Sequence, residues 1–297
     1  MIIGGNAAGP AAAAKAKRIL PDAEVTLIEK RGVISTGTCE IPYLFSGEVK
    51  DPKHLRFYNE ESFFQSKGVA VHTKHTAEFI DTRKKTVITR SADTGKEKLF
   101  SYDALVLSTG SSARVLPMLP SGLSNTFSVK TIEDADAFFG SNLTLRDKRI
   151  LIVGAGLVGI EMADALYTAG AQVTVADLVS LPLSSADPDI RKMVSELLTH
   201  HGIRFLQVTQ SAQYLVKENL FTGVRVRGVY HEFDMMFIAS GTEPQSQLAQ
   251  SSGLKLTELN TIQVDNRLQT SQSGIFAAGD CIAVTDFITN RPRYDLL

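Results

Sequence analysis

The sequence predicts an α/β protein of two nucleotide-binding domains, one inserted into the other. Three observations predict it. A glycine-rich turn between a short apolar run and a helical stretch occurs twice, at 4–9 and 154–159. An acidic residue, Glu29 or Asp177, follows each turn by about 20 residues, as a βαβ nucleotide-binding opening requires. Stretches rich in chain-breaking residues, PMLP (117–120) and SGTEPQS (240–246), bracket the second copy.

In chain order, MII (1–3) is a short strand that runs into GGNAAG (4–9). The Ala-rich PAAAAKAKRIL (10–20) reads as the helix and EVTLIEK (24–30) as the second strand. A loop of Gly, Thr and Ser around Cys39 follows in ISTGTCEIPYLF (34–45). Strand-rich segments come next at 69–81, 84–89 and 104–110. The second copy is RILIV (149–153), GAGLVG (154–159), the helix IEMADALYTAG (160–170) and the strand QVTVAD (172–177). Alternating segments at 225–241 and the run GIFAAGD (274–280) complete the pattern. The expected division is a first domain of 1–113 and 242–297, interrupted by a second at 114–241, each Rossmann-like.

Composition bounds the function. The chain has 297 residues, of which 43% are hydrophobic and 21% charged, the profile of a soluble globular protein. A net charge of −1 offers nothing to a nucleic acid. No apolar run approaches the roughly 20 residues that cross a bilayer, so no membrane partner is expected. No secretion signal is visible. Two cysteines, Cys39 and Cys281, cannot form a disulfide framework, and a cytoplasmic location is expected. Six histidines make no metal site: His72 and His75 are expected on opposite faces of one strand, and His200 and His201 at an exposed helix end.

The second glycine motif is the more regular. Gly154 permits the tight turn, Gly156 lets the backbone approach a pyrophosphate, and Gly159 lets helix and strand pack closely. The phosphates then meet the positive helix end near Leu157 and Val158. Asp177 can accept hydrogen bonds from both ribose hydroxyls and would repel a 2′-phosphate, which favours NADH over NADPH. In the first motif, Gly4, Gly5, Asn6, Ala7 and Gly9, the third position is Asn6 rather than glycine. Glu29, with Lys30 beside it, and the distant Asp280 give it weight, since a strand ending in Gly-Asp leaves a carboxylate for a polyol chain.

These paired motifs, with STG at 108–110, ASG at 239–241 and IFAAGD at 275–280, resemble the two-dinucleotide flavoprotein disulfide reductases over nearly the whole chain. The resemblance implies FAD at the first motif, with Thr109, Gly110 and Asp280 contributing, and NADH at the second, with Gly241 and Glu161 contributing. Leu157 stands where many relatives carry an aromatic gate. Family members also carry a C-terminal interface domain, and this sequence ends before it. A fragment of a longer, homodimeric protein is expected.

Cys39 has no cysteine five positions away, so the dithiol branches do not match. TGTCEIPYLFSGEV (36–49) resembles the single-cysteine branch of coenzyme A-disulfide reductases, NADH oxidases and NADH peroxidases. There one thiolate beside the flavin takes the electron pair that NADH delivers. A helix N-terminus just after Cys39 would favour its thiolate. The oxidase and peroxidase members carry a histidine at the place of Ala7, and alanine moves no proton. The expected substrate is therefore a disulfide or persulfide, such as coenzyme A disulfide, with oxygen reduction or cofactor binding without turnover as alternatives. Lys15 and Arg18 share a helix face that by resemblance holds coenzyme A phosphates. Tyr43 either lines the thiol pocket or packs, and packing is expected. Cys281 is expected to be a core residue.

Overall fold

The computed structural model describes residues 1–114, 116–120, 122–289 and 291–294; the end of the expected segment 242–297 lies outside them. Packing divides the chain into two units. The first comprises Met1–Thr36, Arg56–Ser112 and Glu243–Leu297, and the second Gly37–Leu55 and Ala113–Thr242.

The first unit is built on five parallel strands in the order Ile275–Ala277, Leu105–Leu107, Ile2–Ile3, Thr26–Ile28, Ala70–His72. The inner strands are short, mostly buried apolar runs, as parallel strands require, whereas the edge strand Ala70–His72 buries only Val71. Ile2 and Ile3 point to opposite sides. Ile2 joins Ala13, Leu27, Phe63 and Val69, under the helices Ala8–Ile19 and Glu60–Lys67. Ile3 joins Ile80, Val87, Tyr102 and Ile275. Ile80 and Val87 come from an antiparallel sheet of His75–Asp81, Thr86–Ser91 and Glu97–Ser101.

The second unit repeats the plan. Its parallel order is Thr126–Ser128, Met235–Ile238, Arg149–Val153, Gln172–Asp177, Arg204–Gln207. In both units the strand that feeds the glycine turn is central, and the strand ending in the acid lies beside it. Leu151, Val153 and Ala176 pack against Phe221 and Val224 of a second antiparallel sheet and against Phe233 just beyond its last strand.

Residues 37–55, expected in the first domain, pack instead with the second unit. The cause is aromatic. Phe45, on the short helix Ile41–Ser46, meets Phe138 and Phe139 with ring centroids 5.0 and 5.2 Å away, and Phe237 edge-on at 5.4 Å. Phe138 lies on the helix Ile132–Phe139, which Thr131 and Asp134 start with a reciprocal capping box. The helix Ile41–Ser46 also rests on the helix Leu157–Thr168.

The histidine expectation needs correcting. His72 ends one strand and His75 begins another, because Lys74 between them turns the chain with a φ of 55°. Their rings meet at 5.7 Å rather than facing apart. No cluster of metal-ligating side chains occurs among the described residues.

Candidate active site

The two glycine turns are built alike. Gly4 and Gly154 have φ of 107° and 112°, a left-handed conformation that favours glycine. A Cβ at Gly4 would collide with the Ser108 carbonyl, and one at Gly154 with the Ala239 carbonyl. Ser108 and Ala239 open the STG and ASG triplets, so each triplet forms the wall against which its turn is pressed. A Cβ at Gly9 or Gly159 would strike the carbonyl of Gly4 or Gly154.

Each acid is tied to its own turn. Glu29, buried, accepts the Gly5 N–H at 2.6 Å and is flanked by Arg31, whose Nε donates to it at 3.1 Å. Asp177 accepts the Ala155 N–H at 2.7 Å and the Val179 N–H at 3.3 Å. The two turns differ at their third position. Open space surrounds a Cβ placed on Gly156, which caps the helix Leu157–Thr168. Asn6 is drawn aside: its Oδ1 accepts both the N–H and the hydroxyl of Thr36, at 3.1 and 2.7 Å. Each turn therefore leaves its backbone open to a pyrophosphate, with helix N–H groups and a carboxylate in place, and the residues present fit a dinucleotide at both.

The remaining predicted residues fall out by unit. In the first, Asp280 accepts the Ser111 hydroxyl at 2.8 Å, and Gly110 O accepts the Gln245 N–H at 2.8 Å. Thr109 donates its hydroxyl to Gln245 O. Ala7 precedes the helix Ala8–Ile19 with its methyl exposed, and Lys30 is exposed beyond Glu29. Lys15 and Arg18 lie exposed on that helix, whereas Lys17 is held by Ala23 O at 2.8 Å.

In the second unit, Leu157 and Val158 are exposed at the helix start and Glu161 is exposed one turn on. Gly241 O accepts the Arg114 N–H at 2.9 Å. Cys39 lies in the single turn Thr38–Glu40 and is exposed. Tyr43, expected to pack, is 48% exposed, because Ile41, Leu44 and Phe45 take the buried side of its short helix. The units thus divide the substrate candidates, Cys39 and Tyr43 in one and Lys15 and Arg18 in the other.

Cys281 is fully buried, its Sγ 3.5 Å from Leu107 O, and burial pushes its thiol up. It is a core residue. Sequence reasoning missed Ser111 and Thr36 as the partners of Asp280 and Asn6, since Ser111 follows the STG triplet and Thr36 opens the thiol stretch without naming a distant partner. It also missed Arg31, which only its place two residues after Glu29 could have flagged.

Comparison with known proteins agrees with this geometry. The family described as pyridine nucleotide-disulphide oxidoreductase matches residues 1–294. A protein named NADH oxidase from Methanocaldococcus jannaschii is 31% identical over 97% of this chain and 64% of its own length. A coenzyme A disulfide reductase from Staphylococcus aureus is 28% identical over 94% of this chain and 62% of its own. The chain thus spans under two thirds of these relatives. An NAD-dependent persulfide reductase from A. fulgidus superposes with a TM-score of 0.91 at 28% identity, over 99% of this chain and 54% of that one. A water-forming NADH oxidase from Lactobacillus brevis bound to NADH does so with 0.90 at 28%, over 100% and 65%. With the repeated cradle and a family match that runs almost from end to end, the chain belongs to the pyridine nucleotide-disulphide oxidoreductase family.

Proposed function

We propose that this chain carries the cofactor-binding and thiol-bearing parts of an FAD- and NADH-dependent reductase of small-molecule disulfides or persulfides, with coenzyme A disulfide the foremost substrate. The observation that carries this reading is the contrast between the two cysteines. Cys281 is sealed in the core, whereas Cys39 is exposed on a turn beside no second thiol, so the chemistry must use one sulfur.

FAD would be held by Gly4, Gly5, Asn6, Ala7, Gly9, Glu29, Lys30, Thr109, Gly110 and Asp280. NADH would be held by Gly154, Gly156, Leu157, Val158, Gly159, Glu161, Asp177 and Gly241. Bound there, the two cofactors supply the electron pair that cleaves the enzyme's mixed disulfide. The Cys39 thiolate attacks one sulfur of the incoming disulfide, forming a Cys39–S–S–R bond and expelling the other sulfur as a thiolate. Cleavage by two electrons releases the second thiolate and restores Cys39. Lys15 and Arg18, cationic and exposed on one face, suit the phosphates of a coenzyme A moiety, and Tyr43 offers an exposed ring near the thiol turn.

The Methanocaldococcus jannaschii relative's name favours a second reading, reduction of oxygen by NADH. Ala7 weighs against it, since its methyl group offers no proton to a peroxide-level intermediate. The test is Cys39→Ser. It is expected to abolish disulfide reduction while NADH still bleaches the flavin; undiminished disulfide turnover refutes the thiol mechanism. Oxygen consumption with NADH alone, undiminished in the variant, would support the oxidase reading. A mass increment of one coenzyme A on Cys39 in the unreduced protein would identify the substrate class.

A further inference from the structure

Between the strand ending in Asp177 and the helix Pro188–His200 the chain makes a loop that comes back to the second glycine turn. Leu183 N–H donates to Ala155 O, inside GAGLVG, at 2.8 Å. Leu183 does so at a φ of 51°, a left-handed conformation that a leucine keeps only where its surroundings hold it. Two groups hold it. Leu183 O accepts the Ala186 N–H at 2.8 Å. Arg191, early in the helix, donates Nε to Pro182 O at 3.2 Å and Nη2 to Leu181 O at 3.1 Å, a fork closed on the two carbonyls just before Leu183. The near end of the loop is fastened separately. Leu178 O accepts Gln207 Nε2 at 3.2 Å, and the Asp177 carboxylate accepts the Ala155 N–H at 2.7 Å.

We propose that Arg191 is a positioning residue of the pyridine-nucleotide site: its grip on the loop keeps Leu183 N–H on the Ala155 carbonyl and so presents the Gly156 N–H to the cofactor's pyrophosphate. This rests on the reading that the second cradle takes NADH. The peptide joining Ala155 to Gly156 is planar and trans, so its C=O and N–H point in opposite directions. With the C=O turned to Leu183, the N–H faces away from the loop at the start of the helix Leu157–Thr168, where open space surrounds Gly156. A peptide free to rotate would offer the phosphates its carbonyl oxygen for part of the time, and that contact is repulsive. The preceding peptide is fixed without the loop, since its N–H, that of Ala155, is bonded to Asp177. Losing the grip therefore costs the pyrophosphate contact and spares the ribose end.

Two measurements on wild type, Arg191→Ala and Arg191→Lys test it. The first is hydrogen exchange without nucleotide, in which Arg191→Ala is expected to lose protection at the Leu183 amide. The second is displacement of NADH, followed by its fluorescence, with ADP-ribose, which carries the pyrophosphate, and with adenosine, which does not. ADP-ribose is expected to bind Arg191→Ala about 3- to 10-fold more weakly than wild type, the loss of one hydrogen bond, while adenosine affinity and bound FAD are retained. Arg191→Lys keeps the charge but replaces the fork by a single ammonium, so its ADP-ribose affinity is expected to stay below that of wild type. Unchanged protection at Leu183, equal ADP-ribose affinity in wild type and Arg191→Ala, an equal loss for adenosine, or full recovery in Arg191→Lys overturns the proposal. If the wild type itself binds neither NADH nor ADP-ribose, the cofactor assignment falls and takes the proposal with it, whereas the exchange measurement still reports whether Arg191 holds the loop.

Discussion

Phe45 and Phe138 stand with ring centroids 5.0 Å apart, and that contact fixes the thiol turn to the second unit. Phe45 is 4% exposed, also meets Phe139 and Phe237, and reaches Phe127 through Phe138 and Phe237. Phe45→Ala removes a buried ring and leaves a cavity, at a cost of about 3 kcal/mol. The expected outcome is a lower thermal midpoint and faster proteolytic cutting within residues 37–55. An unchanged cleavage pattern would show that other contacts anchor the turn.

The parallel construction of the two turns predicts separable defects. Gly154→Ala would force a side chain into the Ala239 carbonyl at a positive φ, and Gly4→Ala into that of Ser108. NADH affinity is expected to fall more than tenfold in the first with flavin content retained. The second is expected to purify with little flavin. Calorimetry and the visible spectrum read the two results independently, and loss of both cofactors in both variants would contradict separate sites.

The cysteines should differ in reactivity. A maleimide is expected to label one thiol, Cys39, in the native protein and two after denaturation, because Cys281 is buried with its thiolate disfavoured. Peptide mapping identifies the labelled site. Rapid native labelling of Cys281 would contradict the packing described.

Asp234 makes acid stability measurable. Hydrogen bonds from Arg149 hold its carboxyl below the usual carboxylate range. Its stabilisation is therefore complete above the unfolded value near ~4 and disappears as pH falls through the lower folded value. The pair is partly exposed, so the effect is modest. Between pH about 4 and 2.5, the melting temperature of Asp234→Asn should fall less steeply than that of the wild type.

Much of this was legible in the sequence where one stretch of chain carries the signal. Arg149–Val153 and Gln172–Asp177 occupy the residues their apolar runs mark out. The helices begin earlier than their composition implies, at Ala8 and Leu157, because each starts inside its glycine turn. The sequence was silent where distant residues meet. Nothing local to Phe45 names Phe138 or Phe237 as its partners, so 37–55 reads as belonging to the strands around it. Asn6, an irregularity in the first motif, acquires a reason only when Thr36 is seen to hold it.

The aromatic seat of Phe45 bears on how this protein can be dissected. A pyridine-nucleotide domain cut out at the two linkers, 114 to 241, would leave behind the ring that plugs its own hydrophobic socket, and the bared Phe138 and Phe237 would invite clumping. Chimaeras that exchange the second unit must therefore carry the stretch 37–55 along with it, so the exposed thiol of Cys39 and the second glycine turn travel as one heritable piece.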